Sequence, residues 1–212
     1  MDIADADLEV LEIGCGTQPL EPGMRSAGFA GTYTGIDNAE TALTKLAAGA
    51  AGARTTYAVA DATALEAESG TYDLVVDKGT IDAVNCADDE FATSGAIVSE
   101  CARVLAPGGA FVIVSHMQPG GGGGGGGDSD DDDDDDDDSD DDDVDGLAWV
   151  AEVVGPALEA MPEFSWKVEC HYPEDGDGPA AWIIRKSERP RKRTRSVADG
   201  QPAELDISLS EY

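Results

Sequence analysis

Short β-rich runs alternate with longer stretches of helical spacing along most of this chain, and that alternation leaves few folds open to it. The runs are residues 9–13, 32–36, 55–59, 72–76, 110–115, 165–171 and 181–185. Strands separated by helix-length segments build βαβ units around a mostly parallel sheet. Residues 94–105 give the clearest helical pattern, with Ile97, Cys101, Val104 and Leu105 on one apolar stripe. Pro107-Gly108-Gly109 is expected to end that helix and turn the chain into the next strand. A second helix is expected over 147–161, with Gly155-Pro156 as the point where it can split.

Two segments fall outside this pattern. Residues 119–145 pass through eight consecutive glycines (120–127) into a tract holding fifteen aspartates between 128 and 145. Neither half can bury enough apolar surface to offset the entropy of ordering it. The segment is therefore expected to be a disordered insert within a domain of residues 1–186. Residues 187–212 are expected to form a flexible tail. Seven of the thirteen Lys and Arg residues cluster at 185–195. That cluster reads as a nuclear address, an RNA contact or a mate for the acidic tract. The net charge of −32 argues against a nucleic-acid footprint over the whole domain, which needs a basic surface. A basic protein partner fits that charge, and so does plain solubility. The tract itself either gathers such a partner by long-range attraction or solvates a loop.

Cys15, Cys86, Cys101 and Cys170 form no C-x-x-C pair and, with His116 and His171, no zinc spacing. No metal site is expected, and reduced thiols fit a cytoplasmic setting. The first ten residues lack the basic start and apolar core of a signal peptide. No apolar run approaches the roughly 20 residues of a membrane span. The expectation is a cytoplasmic monomer, with a nuclear share left open by the basic cluster.

The pattern that bears on chemistry starts at Leu11-Glu12-Ile13-Gly14-Cys15-Gly16-Thr17, a glycine turn directly after the first strand. Glycines there let the backbone approach a ligand closely, although an ordinary turn has the same look. A dinucleotide site would want glycine or alanine at position 19, where this chain has Pro19. Asp37, Asp61 and Asp77 follow at the ends of the second, third and fourth strands. A carboxylate at 37 can accept hydrogen bonds from both hydroxyls of a ribose, and Asp61 is placed for an adenine amino group. A single aspartate of this kind is commonly a helix cap. Three in succession after a glycine loop share the rim where open α/β sheets bind ligands.

Together these residues resemble the seven-stranded (class I) S-adenosylmethionine-dependent methyltransferases, closely over 8–117 and loosely over 165–186. The carriers are Leu-Glu-Ile-Gly-Cys-Gly (11–16), Gly-Ile-Asp (35–37), Ala-Asp-Ala (60–62) and Arg-Val-Leu-Ala-Pro-Gly-Gly (103–109). The stretch Asp77-Lys78-Gly79-Thr80-Ile81-Asp82-Ala83 is narrower. It resembles the methyltransferase-like protein-lysine methyltransferases, including those acting on translation elongation factor 1-alpha and on citrate synthase. The resemblance implies a doubly wound, Rossmann-like α/β sheet of order 3-2-1-4-5-7-6 with the last strand antiparallel. It implies S-adenosylmethionine as cofactor and a protein lysine as methyl acceptor. It places Glu12, Gly14 and Gly16 at the methionine end, Asp37 at the ribose, and Asp61 and Ala62 at the adenine. Cys15 would line the pocket or simply pack beside it. Asp77 would stand beside the methyl donor and the incoming amine. Relatives carry a helical segment ahead of the first strand, whereas Met1–Asp7 stand there in this sequence, so an open pocket or an incomplete gene is expected.

A lysine acceptor poses a proton problem, since about one amine in a few thousand is neutral at pH 7. Asp77 is expected to orient the amine, Lys78 to form an ion pair with Asp82, and Thr80 to cap the next helix or touch substrate. His116 is a further substrate-contact candidate on the rim. Two other readings stand beside this one. One is a small-molecule methyltransferase; the other is a catalytically weak cofactor-binding module whose acidic tract binds basic proteins.

Overall fold

The strand Glu9–Ile13 (β1) is covered on both faces, as its apolar sequence requires. Val10 joins Leu8, Phe29 and Tyr33 on one side, while Leu11 and Ile13 face the larger core on the other. The computed structural model describes residues 2–47, 54–86, 91–119, 146–174, 178–189 and 205–211. β1 pairs in parallel with β2 (Thr32–Asp37) and with β4 (Tyr72–Lys78). β3 (Thr55–Val59) lies outside β2, and β5 (Leu105–Ser115) lies outside β4, both parallel. β7 (Ala180–Glu188) runs antiparallel to both β5 and β6 (Phe164–Tyr172). The expected order 3-2-1-4-5-7-6 is therefore present, with β7 as its antiparallel strand.

An eighth strand extends it. β8 (Leu205–Glu211) pairs in parallel with β6, inside the stretch expected to be a flexible tail. The pairing satisfies the outer edge of β6, and Leu205 packs against the main core. The Gly/Asp insert at 120–145 and the basic residues 191–195 lie outside the described residues.

Helices α1 (Glu21–Ser26), α2 (Glu40–Ala47), α3 (Thr80–Asn85) and α4 (Ala92–Val104) fall between the first five strands. The stripe read from the sequence puts Ile97, Cys101 and Val104 of α4 into the core. The last turn of α4 is closed from β7, where buried Lys186 donates to the carbonyls of Ala102 and Leu105 at 2.9 and 2.7 Å. The ammonium also lies over the rings of Phe164 and Trp166.

Two expectations need correction. Pro107-Gly108-Gly109 does not separate helix from strand, because β5 already pairs at Leu105 with Tyr72. It resumes with Ala110 opposite Leu74, and the residues between form a bulge at Gly108 (φ +92°). Gly155-Pro156 does not split the second helix. α5 (Gly146–Trp149) runs into a π-helical turn (Val150–Val154) and then α6 (Gly155–Glu159). The Gly155 amide reaches back five residues to the Val150 carbonyl. This wider turn accommodates Pro156, which has no N–H to donate.

Candidate active site

The carboxyl ends of β1 to β4 open onto a cleft of about 300 Å³. β1 is the topological switch point: the chain runs outward from it to β2 and β3, then crosses back to β4 on its other side. Such a reversal leaves a crevice at the strand ends. Gly14, Asp37, Asp61, Ala62 and Thr80 line the cleft, so five of the residues singled out from the sequence meet there.

The glycine turn is built by close approach. Gly14 adopts φ +57°, and a Cβ on it would stand 1.9 Å from the Thr80 hydroxyl oxygen. That hydroxyl donates to the Ile13 carbonyl at 3.2 Å, tying the end of β1 to the start of α3. Gly16 also has positive φ (+55°), yet open space surrounds its missing side chain. Its amide donates to Asp37 at 2.8 Å, and the other Asp37 oxygen accepts the Ala39 amide at 2.8 Å. A carboxylate has about four acceptor positions, so Asp37 keeps one free on each oxygen for ligand hydroxyls.

Asp61 uses one oxygen, Oδ1, for the Thr63 amide and hydroxyl at 2.8 and 2.7 Å. Those bonds hold its pKa below the usual value, so it is an ionised acceptor with Oδ2 left toward solvent. Ile36, Ala60, Ala62, Val84 and Ile97 give the cleft an apolar lining between these polar ends. An apolar slot with a few fixed polar groups suits a purine nucleoside.

Other expected site residues are placed differently. Asp77 is fully buried and absent from the lining, turned onto α3. It accepts the amides of Thr80 at 2.9 Å and Ile81 at 3.2 Å. The helix is thus capped by Asp77, three residues ahead of Thr80, and the capping role expected of Thr80 falls away. Burial raises the Asp77 pKa to about 6 against the pull of those amide bonds. Glu12 is fully buried under the glycine loop, accepting the Leu20 amide at 2.8 Å and the Tyr33 hydroxyl. Its other oxygen, Oε1, has no partner. Burial raises the Glu12 pKa.

Cys15 packs beneath the loop, with its thiol pushed up to about 12 by burial and by the nearby acids. It is a neutral, inert filler. His116 is exposed and outside the cleft; its backbone amide donates to Asp82 at 3.0 Å. Asp82 also accepts the Ser115 hydroxyl. The expected Lys78–Asp82 ion pair is therefore not formed, and Lys78 instead projects, exposed, at the cleft wall. The sequence reading missed Asn38, Thr63 and Thr93 as lining residues, and it assigned Ile97 to core alone.

Residues 10–109 match the family described as a methyltransferase domain. A Danio rerio protein named eEF1A lysine and N-terminal methyltransferase is 33% identical over 112 residues, covering 52% of this chain and 16% of that protein. The Neurospora crassa methyltransferase srdJ is 36% identical over 119 residues, covering 52% of this chain and 50% of it. The chain thus spans half or less of the length of these relatives. A solved structure of Haemonchus contortus phosphoethanolamine N-methyltransferase 2, with phosphomonomethylethanolamine and S-adenosylhomocysteine, is 26% identical. It aligns with a TM-score of 0.44 over 52% of this chain and 25% of that one.

Proposed function

We propose that this chain, whose residues 10–109 match the methyltransferase domain family, is an S-adenosylmethionine-dependent methyltransferase that methylates a lysine side chain of a basic protein. The observation that carries the reading is the pair Asp37 and Asp61 at the two sides of one cleft, beside a double-glycine turn. The residues present fit the cofactor. Asp37 has acceptor positions left for ribose hydroxyls, and the apolar wall between it and Asp61 takes the purine. Glu12, beneath the glycine loop, keeps a buried Oε1 without a hydrogen-bond partner. When bound, the cofactor supplies an electrophilic methyl group on a sulfonium.

The chain's own work is positioning, which governs displacement reactions of this type. Gly14 lets Thr80 close against β1, and Thr80 in turn fixes where the cleft ends. Asp77 acts from within, holding the first turn of α3 so that Lys78, Gly79 and Thr80 keep their places on the wall. No side chain is assigned to remove the amine proton. Desolvation beside a cationic donor lowers an amine pKa, and that is the contribution the site makes to it.

The lysine acceptor is supported by the Asp77–Ala83 motif and by the name of the Danio rerio relative. A basic partner is supported by the net charge of −32. Incubation with methyl-labelled cofactor and a cell extract, followed by hydrolysis and amino-acid analysis, tests the reading. Label in methyllysine is the expected result. Label confined to small molecules would replace the acceptor, and absence of transfer would remove the activity.

A further inference from the structure

We propose that the free edge of β8 is an interaction surface for a second copy of this chain, joined strand to strand in antiparallel register about Ser208. β8 is the outermost strand of the sheet, and among the described residues no strand pairs with its outer side. An edge left open in this way offers a row of unpaired amides and carbonyls to another strand. Natural edges are blunted by lysine, proline, a bulge or extreme shortness. β8 has seven residues, Leu-Asp-Ile-Ser-Leu-Ser-Glu, with no Lys, Arg, Pro or Gly among them. Its register with β6 is unbroken from Leu205 to Glu211. The opposite edge differs: β3 is five residues long, and Arg25 donates to the Arg54 carbonyl just ahead of it.

The side chains give this edge an apolar face as well. Leu205, Ile207 and Leu209 stand opposite Trp166, Val168 and Cys170, all three buried in the main core. Leu205 packs near Gly155 at the start of α6, whereas Ile207 and Leu209 are 42% and 44% exposed. The apolar face of the sheet thus continues past its helical cover onto the open edge. A second copy fits that strip by symmetry, since a twofold contact has to complement itself. With Ser208 on the axis the two strands overlap in full. Ile207 then faces Leu209 of the partner copy, and Asp206 faces Ser210 rather than another acid. Strand direction reverses across the axis, so the two clefts open at opposite ends of one continuous sheet. A strip about 24 Å long, at 3.4 Å per residue, is small for an interface, so the association is weak. The net charge of −32 on each copy opposes it further.

Sedimentation of the full chain over a concentration series tests the proposal. Monomer and dimer are expected in exchange, with a Kd of about 10–300 μM. Added salt should strengthen the dimer, because it screens the repulsion between two acidic chains. Ile207→Lys should weaken dimerisation about tenfold or more. On mild oxidation Ser208→Cys should give a covalent dimer linked through position 208, and Ser210→Cys should not, because only a residue on the axis meets its own copy. Hydrogen exchange of the unsubstituted chain gives a readout that needs no variant: the β8 amides should exchange more slowly at high concentration than at low. A monomer at every concentration and salt would overturn the proposal and leave the edge to a different strand. A dimer that Ile207→Lys leaves intact, or one that salt dissociates, would overturn it too.

Discussion

Asp37 accepts the Gly16 amide at 2.8 Å, so the last residue of β2 fixes the loop that leaves β1. One carboxylate therefore shapes the glycine turn and still faces the cleft. Asp37→Ala removes both functions. S-adenosylhomocysteine affinity should fall by about 2–4 kcal/mol, a factor of about thirty to a thousand. Stability should fall by about 1 kcal/mol through the lost loop bond. Calorimetry and thermal denaturation of the same variant separate the two effects, and equal affinity in the variant would take Asp37 out of the site.

Gly14 and Gly16 both have positive φ, yet they should differ in what they tolerate. Alanine at 14 meets Thr80 at 1.9 Å, whereas alanine at 16 meets nothing within 4 Å. Gly16→Ala should cost about 1 kcal/mol from backbone strain alone. Gly14→Ala should cost about 2–4 kcal/mol, strain plus overlap. Adding Thr80→Ala should recover part of that loss, since the Thr80 Cβ would still stand at 2.9 Å. Equal costs at 14 and 16 in chemical denaturation would contradict the close packing of β1 on α3.

Asp77 makes stability depend on pH in a stated direction. Its folded pKa of about 6 lies above the ordinary 3.8, so the folded chain holds the proton more readily than the unfolded one. The stability this group contributes is present below about pH 4 and is lost as pH rises to about 6, amounting to about 3 kcal/mol. Asp77→Asn does not titrate, so the variant should gain on the unsubstituted chain between pH 4 and 7. Melting temperatures of the pair across that range measure the gain. A variant that instead loses ground as pH rises would show that the two amide bonds outweigh the burial of charge.

β8 is remote from the cleft, standing four strands beyond β4, about 19 Å at the usual strand spacing. Truncation after residue 204 exposes the edge of β6 and the core surface under Leu205. It should lower the melting temperature by several degrees and leave S-adenosylhomocysteine affinity unchanged. A parallel loss of affinity would mean that the two halves of the sheet are coupled.

The parts of this fold that could be read from the sequence are those where one local pattern had one interpretation. β1 and β3 have the bounds their apolar runs indicated, and the stripe on α4 faces the core. β8 alternates Leu205, Ile207 and Leu209 with Asp206, Ser208 and Ser210, a strand pattern masked by the polar composition around it. At the site, Asp37 and Asp61 line the cleft as their strand-end positions suggested. Asp77 occupies the same kind of position and turns the other way. The spacing from Asp77 to the Thr80 amide is that of a helix cap, and only packing decides between capping a helix and facing a ligand. The freedom of Lys78 was equally hidden, because it depends on Ser115 and His116, more than thirty residues away, occupying Asp82.

The location of the cofactor is the central claim, and amide chemical shifts during titration with S-adenosylhomocysteine test it most directly. Saturable shifts are expected at Gly14, Asn38, Thr63 and Gly79, which follow β1, β2, β3 and β4 around one cleft. The amides of β8, from Leu205 to Glu211, should stay in place. Absence of shifts, or shifts centred away from the ends of β1 to β4, would contradict the account.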